Sequence, residues 1–174
     1  DVLSWHLRVL MSVAATVHHA HERGVLHRDL KPDNVMIGAG GEVYLLDWGI
    51  ALALDERAAR HLPLAASQTG LAGTPHYMAP EMARADGPQL GVRTDVYLLG
   101  GLLYALLTGE PPHPGEDAQE VVNRAATEVP SVPAECAARL RRLCTEALSM
   151  EPAGRPASAE QFRRAVQAWL EERD

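Results

Sequence analysis

The chain has 174 residues, enough for about one domain, and its 16 basic and 23 acidic residues give a formal net charge of −7. This acidic balance argues against nucleic acid as the main partner, because binding to phosphates requires a basic face. Apolar residues make up 47% of the chain, which is typical of a folded globular protein rather than a disordered one.

Apolar spacing and turn residues predict a short sheet fragment followed by helices. A helix is expected over 1–22, and a short extended stretch over 25–26. Two apolar runs flank the glycine-rich turn 38–41, which predicts a hairpin. Residues 50–80 contain prolines and glycines and are expected to form a loop. Further helices are expected over 96–107, about 116–127, 134–149 and 158–171.

The ends of two of these helices carry capping signals. Thr94 or Asp95 is expected to cap the helix over 96–107. Ser158 followed by Gln161 is a capping-box pattern at the start of the last helix. The apolar run of twelve residues at 96–107 is shorter than the ~20 residues of a membrane span, so a buried core helix is expected.

The two cysteines, Cys136 and Cys144, are not expected to form a disulfide. If both lie on one helix, their spacing of eight residues separates them by about 12 Å, and a disulfide needs Cα atoms within ~7 Å. Because 9–17 lacks the features of a signal peptide, we expect a reducing, cytoplasmic setting. A membrane anchor elsewhere in a longer protein is compatible with this expectation.

Some histidines and tryptophans have simple structural interpretations. His18, His19 and His21 lie close together, but they lack the spacing of a helical zinc site. We expect them at a solvated or partly packed helix end. Trp5 and Trp169 are expected to be packing residues.

Three oxygen-bearing side chains, Asp29, Asn34 and Asp47, lie near the ends of short predicted strands. Because Asn34 and Asp47 flank the hairpin, they can lie side by side. Carboxylate and amide oxygens suit Mg²⁺, which keeps phosphate oxygens in its coordination shell. Lys31 adds a positive charge two residues from Asp29. This combination favours phosphoryl transfer, in which catalysis is positioning and charge neutralisation.

Several sequence motifs occur together in one order. Residues 27–34 read His-Arg-Asp-Leu-Lys-Pro-Asp-Asn, 47–49 read Asp-Trp-Gly, and 79–81 read Ala-Pro-Glu. This set resembles the catalytic loop, metal triplet and closing motif of the protein kinases. Segments at 95–100 and 155–156 extend the resemblance over essentially the whole chain. It implies an α+β, mainly α fold in which a short β-hairpin carries the catalytic and metal loops.

The resemblance implies a role for each matching residue. Asp29 would accept the proton of the substrate hydroxyl, and Lys31 would steady the transferred phosphoryl group. Asn34 and Asp47 would hold Mg²⁺. Met36 would lie beneath the adenine ring, so that ATP contacts Met36 together with Lys31, Asn34 and Asp47.

The substrate class also follows from the resemblance. Lys31, two residues after Asp29, resembles the lysine of kinases that act on serine and threonine of protein substrates. Thr74 resembles the threonine that bonds the catalytic aspartate and lysine and lines the substrate groove.

Other matching residues have structural or regulatory roles in the family. Glu81 and Arg155 resemble the buried ion pair that anchors the activation segment, which spans 47–81 here. Asp95 resembles the helix residue that holds the backbone of the catalytic loop. Arg28 resembles the arginine that receives a phosphate from the activation segment.

Ser67 and Thr69 are candidate phosphorylation sites within the activation segment. Trp48 departs from the phenylalanine usual at its position. We expect it to fill the aromatic slot against His27, with altered packing and retained metal binding.

Two kinase motifs are absent from the sequence: a glycine-rich phosphate loop and a strand lysine. Lys31 is the only lysine, and the glycine cluster 38–41 belongs to the hairpin. Residues 1–174 therefore resemble the C-terminal lobe alone, and the missing partner would be an N-terminal lobe of roughly 80–100 residues. The chain by itself is expected to bind nucleotide weakly and to transfer little phosphate.

Two other functions are compatible with parts of the pattern. A pseudokinase or regulatory binding module would share the fold, although the intact Asp29, Asn34 and Asp47 speak against it. An aminoglycoside phosphotransferase would share the catalytic loop, but such enzymes do not generally carry the segment 73–81. The Asp-Trp-Gly triplet and the fifteen arginines against one lysine resemble bacterial Ser/Thr kinases.

Overall fold

The computed structural model describes residues 1–173 and contains six α-helices and two small antiparallel sheets within them. The helices are α1 (Val2–Glu22), α2 (Pro80–Ala83), α3 (Val92–Thr108), α4 (Ala118–Thr127), α5 (Ala138–Ala147) and α6 (Ala159–Glu171). The strands are β1 (Val25–Leu26), β2 (Val35–Ile37), β3 (Val43–Leu45) and β4 (Leu52–Ala53). The fold is therefore mainly helical with a minor β component, as predicted.

Helix α3 forms the centre of the hydrophobic core. Every residue from Thr94 to Leu103 is buried, because this helix is apolar on nearly all sides and α1, α5 and α6 pack around it. The predicted buried helix over 96–107 is therefore present. Among the described residues, no helix is both long and apolar enough to cross a membrane.

The beginning of α3 differs from the prediction. Gly91 is the N-cap, and the helix starts at Val92, four residues earlier than expected. The Thr94 hydroxyl accepts a hydrogen bond from the Gly91 N–H at 3.0 Å from within the first turn. The prediction that Thr94 or Asp95 caps the helix is wrong. The Asp95 side chain instead bonds the loop after β1, a contact that sequence spacing does not reveal.

Helix α1 covers the predicted range and begins at a side-chain cap. Asp1 Oδ1 accepts from the Leu3 N–H at 2.9 Å, which satisfies one of the free amides of the first turn. One face of the helix is buried against the core. It ends before Gly24, whose φ of +74° is a left-handed conformation that glycine adopts without strain.

The C-terminal helices are shorter than predicted. Helix α4 starts after Asp117, whose carboxylate accepts from the Glu120 N–H at 2.8 Å. Helix α5 is predicted as 134–149 but spans Ala138–Ala147, so Cys136 precedes it. Cys136 and Cys144 are both free thiols, as expected, although they do not share a helix.

The capping box of α6 differs from the predicted pattern in one hydrogen-bond partner. Ser158 Oγ accepts from the Gln161 N–H at 3.1 Å, as the pattern predicts. The Gln161 side chain accepts from the Ala157 N–H at 2.6 Å, one residue before the expected position.

The sheets include one predicted pair and one unpredicted pair. In the hairpin, β2 and β3 pair antiparallel with Val35 opposite Leu45. Strand β4, within the predicted loop 50–80, pairs antiparallel with β1 and places Ala53 opposite Val25. Strands of two residues are too short to show an alternating pattern, so the sequence could not predict this pairing.

The two tryptophans assigned to packing differ in burial. Trp169 is 6% exposed and packs in the core, as predicted. Trp5 is 49% exposed, so its assignment as a packing residue is wrong. Trp5 lies near the start of α1 and makes an edge contact with the His6 ring.

Candidate active site

Three polar side chains meet between the loop after β1 and the segment before α2. The Thr74 hydroxyl donates to Asp29 Oδ1 at 2.7 Å and accepts from Lys31 Nζ at 2.7 Å. Lys31 Nζ also lies 3.5 Å from Asp29 Oδ2. The Asp29 and Lys31 side chains are 12% and 22% exposed, so both are accessible to a ligand. The hydroxyl thus holds a carboxylate and an ammonium in a fixed relation.

Gly73 permits this close approach of the two segments. Its φ is +114°, and a Cβ at this position would lie 3.3 Å from the main-chain oxygen of Arg28 and 2.7 Å from Met82 Cε. A side chain here would push the segment away from the loop and would adopt a strained backbone conformation. The position of the Thr74 hydroxyl therefore depends on glycine at residue 73.

Asn34 and Asp47 present oxygens of the kind that bind magnesium. Asn34 Nδ2 donates to the Asp29 main-chain oxygen at 2.7 Å, which leaves the amide oxygen for another partner. Asp47 is exposed, and its Oδ1 accepts from the Gly49 N–H at 3.2 Å. These hard oxygen donors fit Mg²⁺, with phosphate oxygens completing the shell. Within residues 1–173 there is no group of three or more His, Cys, Asp or Glu that could hold a metal alone.

His27 connects the loop that carries Asp29 to the end of the hairpin. Its Nδ1 accepts from the Asp29 N–H at 3.1 Å, and its Nε2 donates to the Leu46 oxygen at 3.0 Å. The Trp48 ring meets the His27 ring edge-on, with centroids 4.5 Å apart. Trp48 Nε1 donates to the Leu45 oxygen at 3.2 Å, so the N–H of this partly buried ring has a partner.

Asp95 holds the backbone of the same loop from within α3. Its carboxylate accepts from the N–H groups of His27 and Arg28, each at 2.9 Å. Arg28 has a φ of +70°, which is unusual for a residue with a side chain, and these bonds support it. Burial by itself raises the pKa of Asp95, but the hydrogen bonds from His21, His27 and Arg28 outweigh it and hold the pKa below its usual value.

His21 is a member of this site that the sequence analysis missed. Its Nε2 lies 2.8 Å from Asp95 Oδ2, and its side chain is only 4% exposed. We expected His21 at a solvated or partly packed helix end. Its side chain is packed and is not solvated. No spacing within residues 18–21 marks His21, because its partner lies 74 residues further along the chain.

Glu81 and Arg155 form a buried, bidentate ion pair. Arg155 Nη1 and Nη2 lie 2.6 and 2.8 Å from the two oxygens of Glu81. The remaining guanidinium N–H groups donate to the main-chain oxygens of Ser149, Arg93 and Met150. The Thr94 hydroxyl donates to Glu81 Oε1 at 2.8 Å. All five guanidinium donors thus have partners, as a buried charge requires.

The Arg28 side chain is buried and incompletely paired. Within the described part of the chain, its Nε has no hydrogen-bond partner. Burial lowers the pKa of Arg28, and the Asp95 carboxylate opposes this shift. Ser67 and Thr69, the candidate phosphorylation sites, are both exposed.

An apolar surface lies next to the polar site. Its exposed members on and beside the hairpin are Met36, Ile37, Tyr44 and Leu46. An adjoining cleft of about 370 Å³ is lined mainly by apolar side chains of α1, β2 and α3. Exposed apolar patches of this kind mark interaction surfaces in soluble proteins.

Comparison with known proteins identifies related sequences over most of the chain. Residues 6–167 match the protein kinase domain family. The chain is 34% identical over 167 residues to the probable serine/threonine-protein kinase PknB of Bifidobacterium longum, covering 94% of this chain and 23% of that protein. It is 38% identical over 177 residues to the serine/threonine-protein kinase pkn3 of Myxococcus xanthus, covering 96% and 32%.

A third relative is the serine/threonine-protein kinase PknD of Chlamydia felis, 33% identical over 179 residues, with 95% of this chain and 19% of that protein covered. The chain thus spans about a fifth to a third of the length of these curated relatives. The family match covers most of the chain and includes every residue of the site described above. The chain belongs to the protein kinase family and is similar to bacterial, eukaryotic-like serine/threonine kinases.

Proposed function

We propose that this chain is the C-terminal lobe of a serine/threonine protein kinase. Together with an N-terminal lobe, it would transfer the γ-phosphoryl group of ATP to protein hydroxyls. The observation that carries this proposal is the bonded trio of Asp29, Thr74 and Lys31. A carboxylate, a hydroxyl and an ammonium at these distances supply a base and a cation for phosphoryl transfer.

Asp29 acts as the proton acceptor. The substrate hydroxyl oxygen bonds to the γ-phosphorus as the bond to ADP breaks, and the hydroxyl proton passes to Asp29. Oδ1 of Asp29 already accepts the Thr74 hydroxyl at 2.7 Å. Oδ2 has the longer contact, 3.3 Å from Asn34 Nδ2, and is the oxygen available to the substrate.

Lys31 lies close enough to Asp29 to neutralise charge on the transferred group. Its compact ammonium suits a phosphoryl oxygen without demanding bidentate geometry. Asn34 and Asp47 would hold Mg²⁺, which offsets the negative charge of the ATP phosphates when bound. Met36, exposed beside this site, offers an apolar surface to the adenine ring.

The exposed apolar surface of the hairpin and the adjoining cleft support the proposal that the chain works together with a second lobe. Met36, Ile37, Tyr44 and Leu46 are each 39 to 48% exposed in the chain alone. An N-terminal lobe would cover part of this surface and supply the glycine-rich loop and the strand lysine. The chain alone would therefore bind ATP weakly and transfer little phosphate.

Arg28 supports a regulatory role for the activation segment 47–81. A phosphate on Ser67 or Thr69 would find a buried guanidinium whose Nε lacks a partner in residues 1–173. Charge-assisted bonds of this type order a segment. Mass spectrometry of the active protein would identify the phosphorylated residues, and S67A and T69A variants would show which one raises activity.

The proposal is tested with the full-length natural protein and its D29A variant, incubated with Mg²⁺, labelled ATP and a serine-containing peptide. Phosphate transfer by the natural protein is expected to fall by at least about 100-fold in D29A, because the proton acceptor is lost. D86A is the matched control, since Asp86 lies outside the site, and it should retain activity. Folded natural protein that transfers no phosphate would favour a pseudokinase that binds partners.

A further inference from the structure

The loop that follows α3 is joined to the segment around Thr74 by two hydrogen bonds, one between main chains and one from a side chain. The His113 N–H donates to the His76 oxygen at 3.2 Å. In return, His76 Nε2 donates to the Gly115 oxygen at 3.0 Å. Residues 75–77 form a 3₁₀ turn directly after Thr74. The loop thus lies against the segment that presents the Thr74 hydroxyl.

The His113 side chain is buried in this contact and has a polar partner. The residue is 1% exposed, and its Nε2 lies 2.8 Å from the Tyr97 hydroxyl. Because a buried polar ring is costly without a partner, this hydrogen bond defines its position more strictly than apolar packing would.

Charge and burial keep this ring neutral. Burial, with the nearby Arg124 and His76, lowers the pKa of His113 to about 4, although the main chain of Met78 opposes the shift. A neutral imidazole has one donor and one acceptor nitrogen. One of them, Nε2, shares a hydrogen bond with the Tyr97 hydroxyl. Burial raises the pKa of Tyr97, which keeps the hydroxyl protonated.

Tyr97 continues these contacts to the ion pair. The guanidinium carbon of Arg155 lies 4.9 Å from the centroid of the Tyr97 ring, over its face. Arg155 holds Glu81 at the end of the segment 74–81. The segment 74–81 is therefore fixed at one end by Glu81 and in its middle by His113.

We propose that His113 and Tyr97 are positioning residues for phosphoryl transfer. Their hydrogen bond fixes the loop after α3, and the bonds of this loop to His76 hold the segment that places the Thr74 hydroxyl between Asp29 and Lys31. This inference rests on the proposed kinase function, because it assigns the segment to the substrate side of that site. Neither side chain contacts the reacting atoms in this role.

Amide hydrogen exchange of the full-length natural protein tests the positioning without requiring activity. In Y97F and in H113F, peptides covering 76–78 should exchange at least about tenfold faster than in the natural protein. Peptides from α6 should be unchanged. Y104F is the matched control, because Tyr104 lies on the same helix and its hydroxyl bonds Ser131 outside this network.

The Y97F variant removes one oxygen atom and is the milder change, so it provides the test if H113F does not fold. Unchanged exchange at 76–78 in Y97F would overturn the proposal. Faster exchange throughout the protein, including α6, would also overturn it, because it would show a general packing role.

Kinetics with a serine-containing peptide give the second measurement. In Y97F, KM for the peptide should rise by about 3- to 10-fold while KM for Mg·ATP stays within about twofold, because only the substrate side is displaced. Equal changes in both constants would contradict the proposal. If the natural protein transfers no phosphate, the kinase function fails, and hydrogen exchange still decides the positioning.

Discussion

The Thr74 hydroxyl accepts from an ammonium and donates to a carboxylate, so a single oxygen sets the relation between Lys31 and Asp29. Unusual backbone conformations at nearby positions also help to place the side chains of the site. Arg28, which directly precedes Asp29, and Asp47, a member of the site, have φ values of +70° and +57°, respectively. Conformations of this kind persist where surrounding bonds hold them, as Asp95 does at Arg28.

The T74V variant tests the hydroxyl in the full-length natural protein. Valine keeps the shape of threonine but removes both hydrogen bonds, so the Asp29 carboxylate loses its fixed orientation. We expect kcat/KM for a serine-containing peptide to fall by about 10- to 100-fold. T74S keeps the hydroxyl and should stay close to the natural protein. Equal activity of T74V and the natural protein would contradict the assigned role.

Acid should destabilise the protein through His113. Its pKa is about 4 in the folded state, below the ordinary value of 6.5, so between these values the unfolded chain binds more protons. The contribution of this group to the free energy of unfolding is therefore fully present above about pH 6.5. It falls as the pH decreases toward 4, by up to about 3 kcal/mol.

Urea unfolding at pH 7 and pH 5 measures this effect. The loss of stability between the two values should be smaller in H113F than in the natural protein, because phenylalanine binds no proton. A pH dependence that is identical in the two proteins would show that His113 does not contribute.

Among the secondary-structure elements, α3 has the largest influence on the site. Its early start at Val92 places Asp95 in the first turn, where the carboxylate faces the loop after β1. The same turn brings Thr94 to Glu81. The helix thus joins the core to the loop after β1 and to Glu81 in α2.

The D95N variant should destabilise the protein by about 2–4 kcal/mol. The amide nitrogen of asparagine would face an N–H group of the loop or His21, so at least one buried donor would lose its acceptor. Urea unfolding at neutral pH gives the measurement, and D86N outside the site is the control. A loss below about 0.5 kcal/mol, the size of an ordinary surface effect, would show that the carboxylate is dispensable.

Across the whole molecule, the Glu81–Arg155 pair joins α2 to the turn before α6. The two side chains are 4% and 0% exposed, respectively, so each depends on the other to compensate its charge. Such a pair defines one arrangement of the parts it joins, and its net contribution to stability is smaller than the loss on breaking it.

The R155M variant should lower the free energy of unfolding by about 3–5 kcal/mol, since Glu81 would remain buried without a counter-charge. The double variant E81Q/R155M removes both charges and should lose less. R142M is the matched control, because Arg142 is 74% exposed and its pair with Glu146 contributes little. A double variant that is less stable than R155M would contradict this interpretation.

The sequence by itself determined the family, the predominance of helices and the set of candidate residues. Motif spacing is a local property of the sequence, so the motifs at 27–34 and 47–49 could be identified without knowledge of their tertiary contacts. Helix α1 followed from apolar periodicity, and the buried helix over 96–107 followed from the length of its continuous apolar run. The ends of α3 and α5 were less well predicted, because tertiary contacts select among several possible first turns.

Only the tertiary structure decided which residues support the site. His21 meets Asp95 across 74 residues, and Tyr97 meets His113 across 16 and Arg155 across the fold. The pairing of β1 with β4 also cannot be predicted from the local sequence pattern. These contacts arise when elements distant in the chain pack together, and a local pattern of residue types carries no information on which distant partner a buried polar group finds.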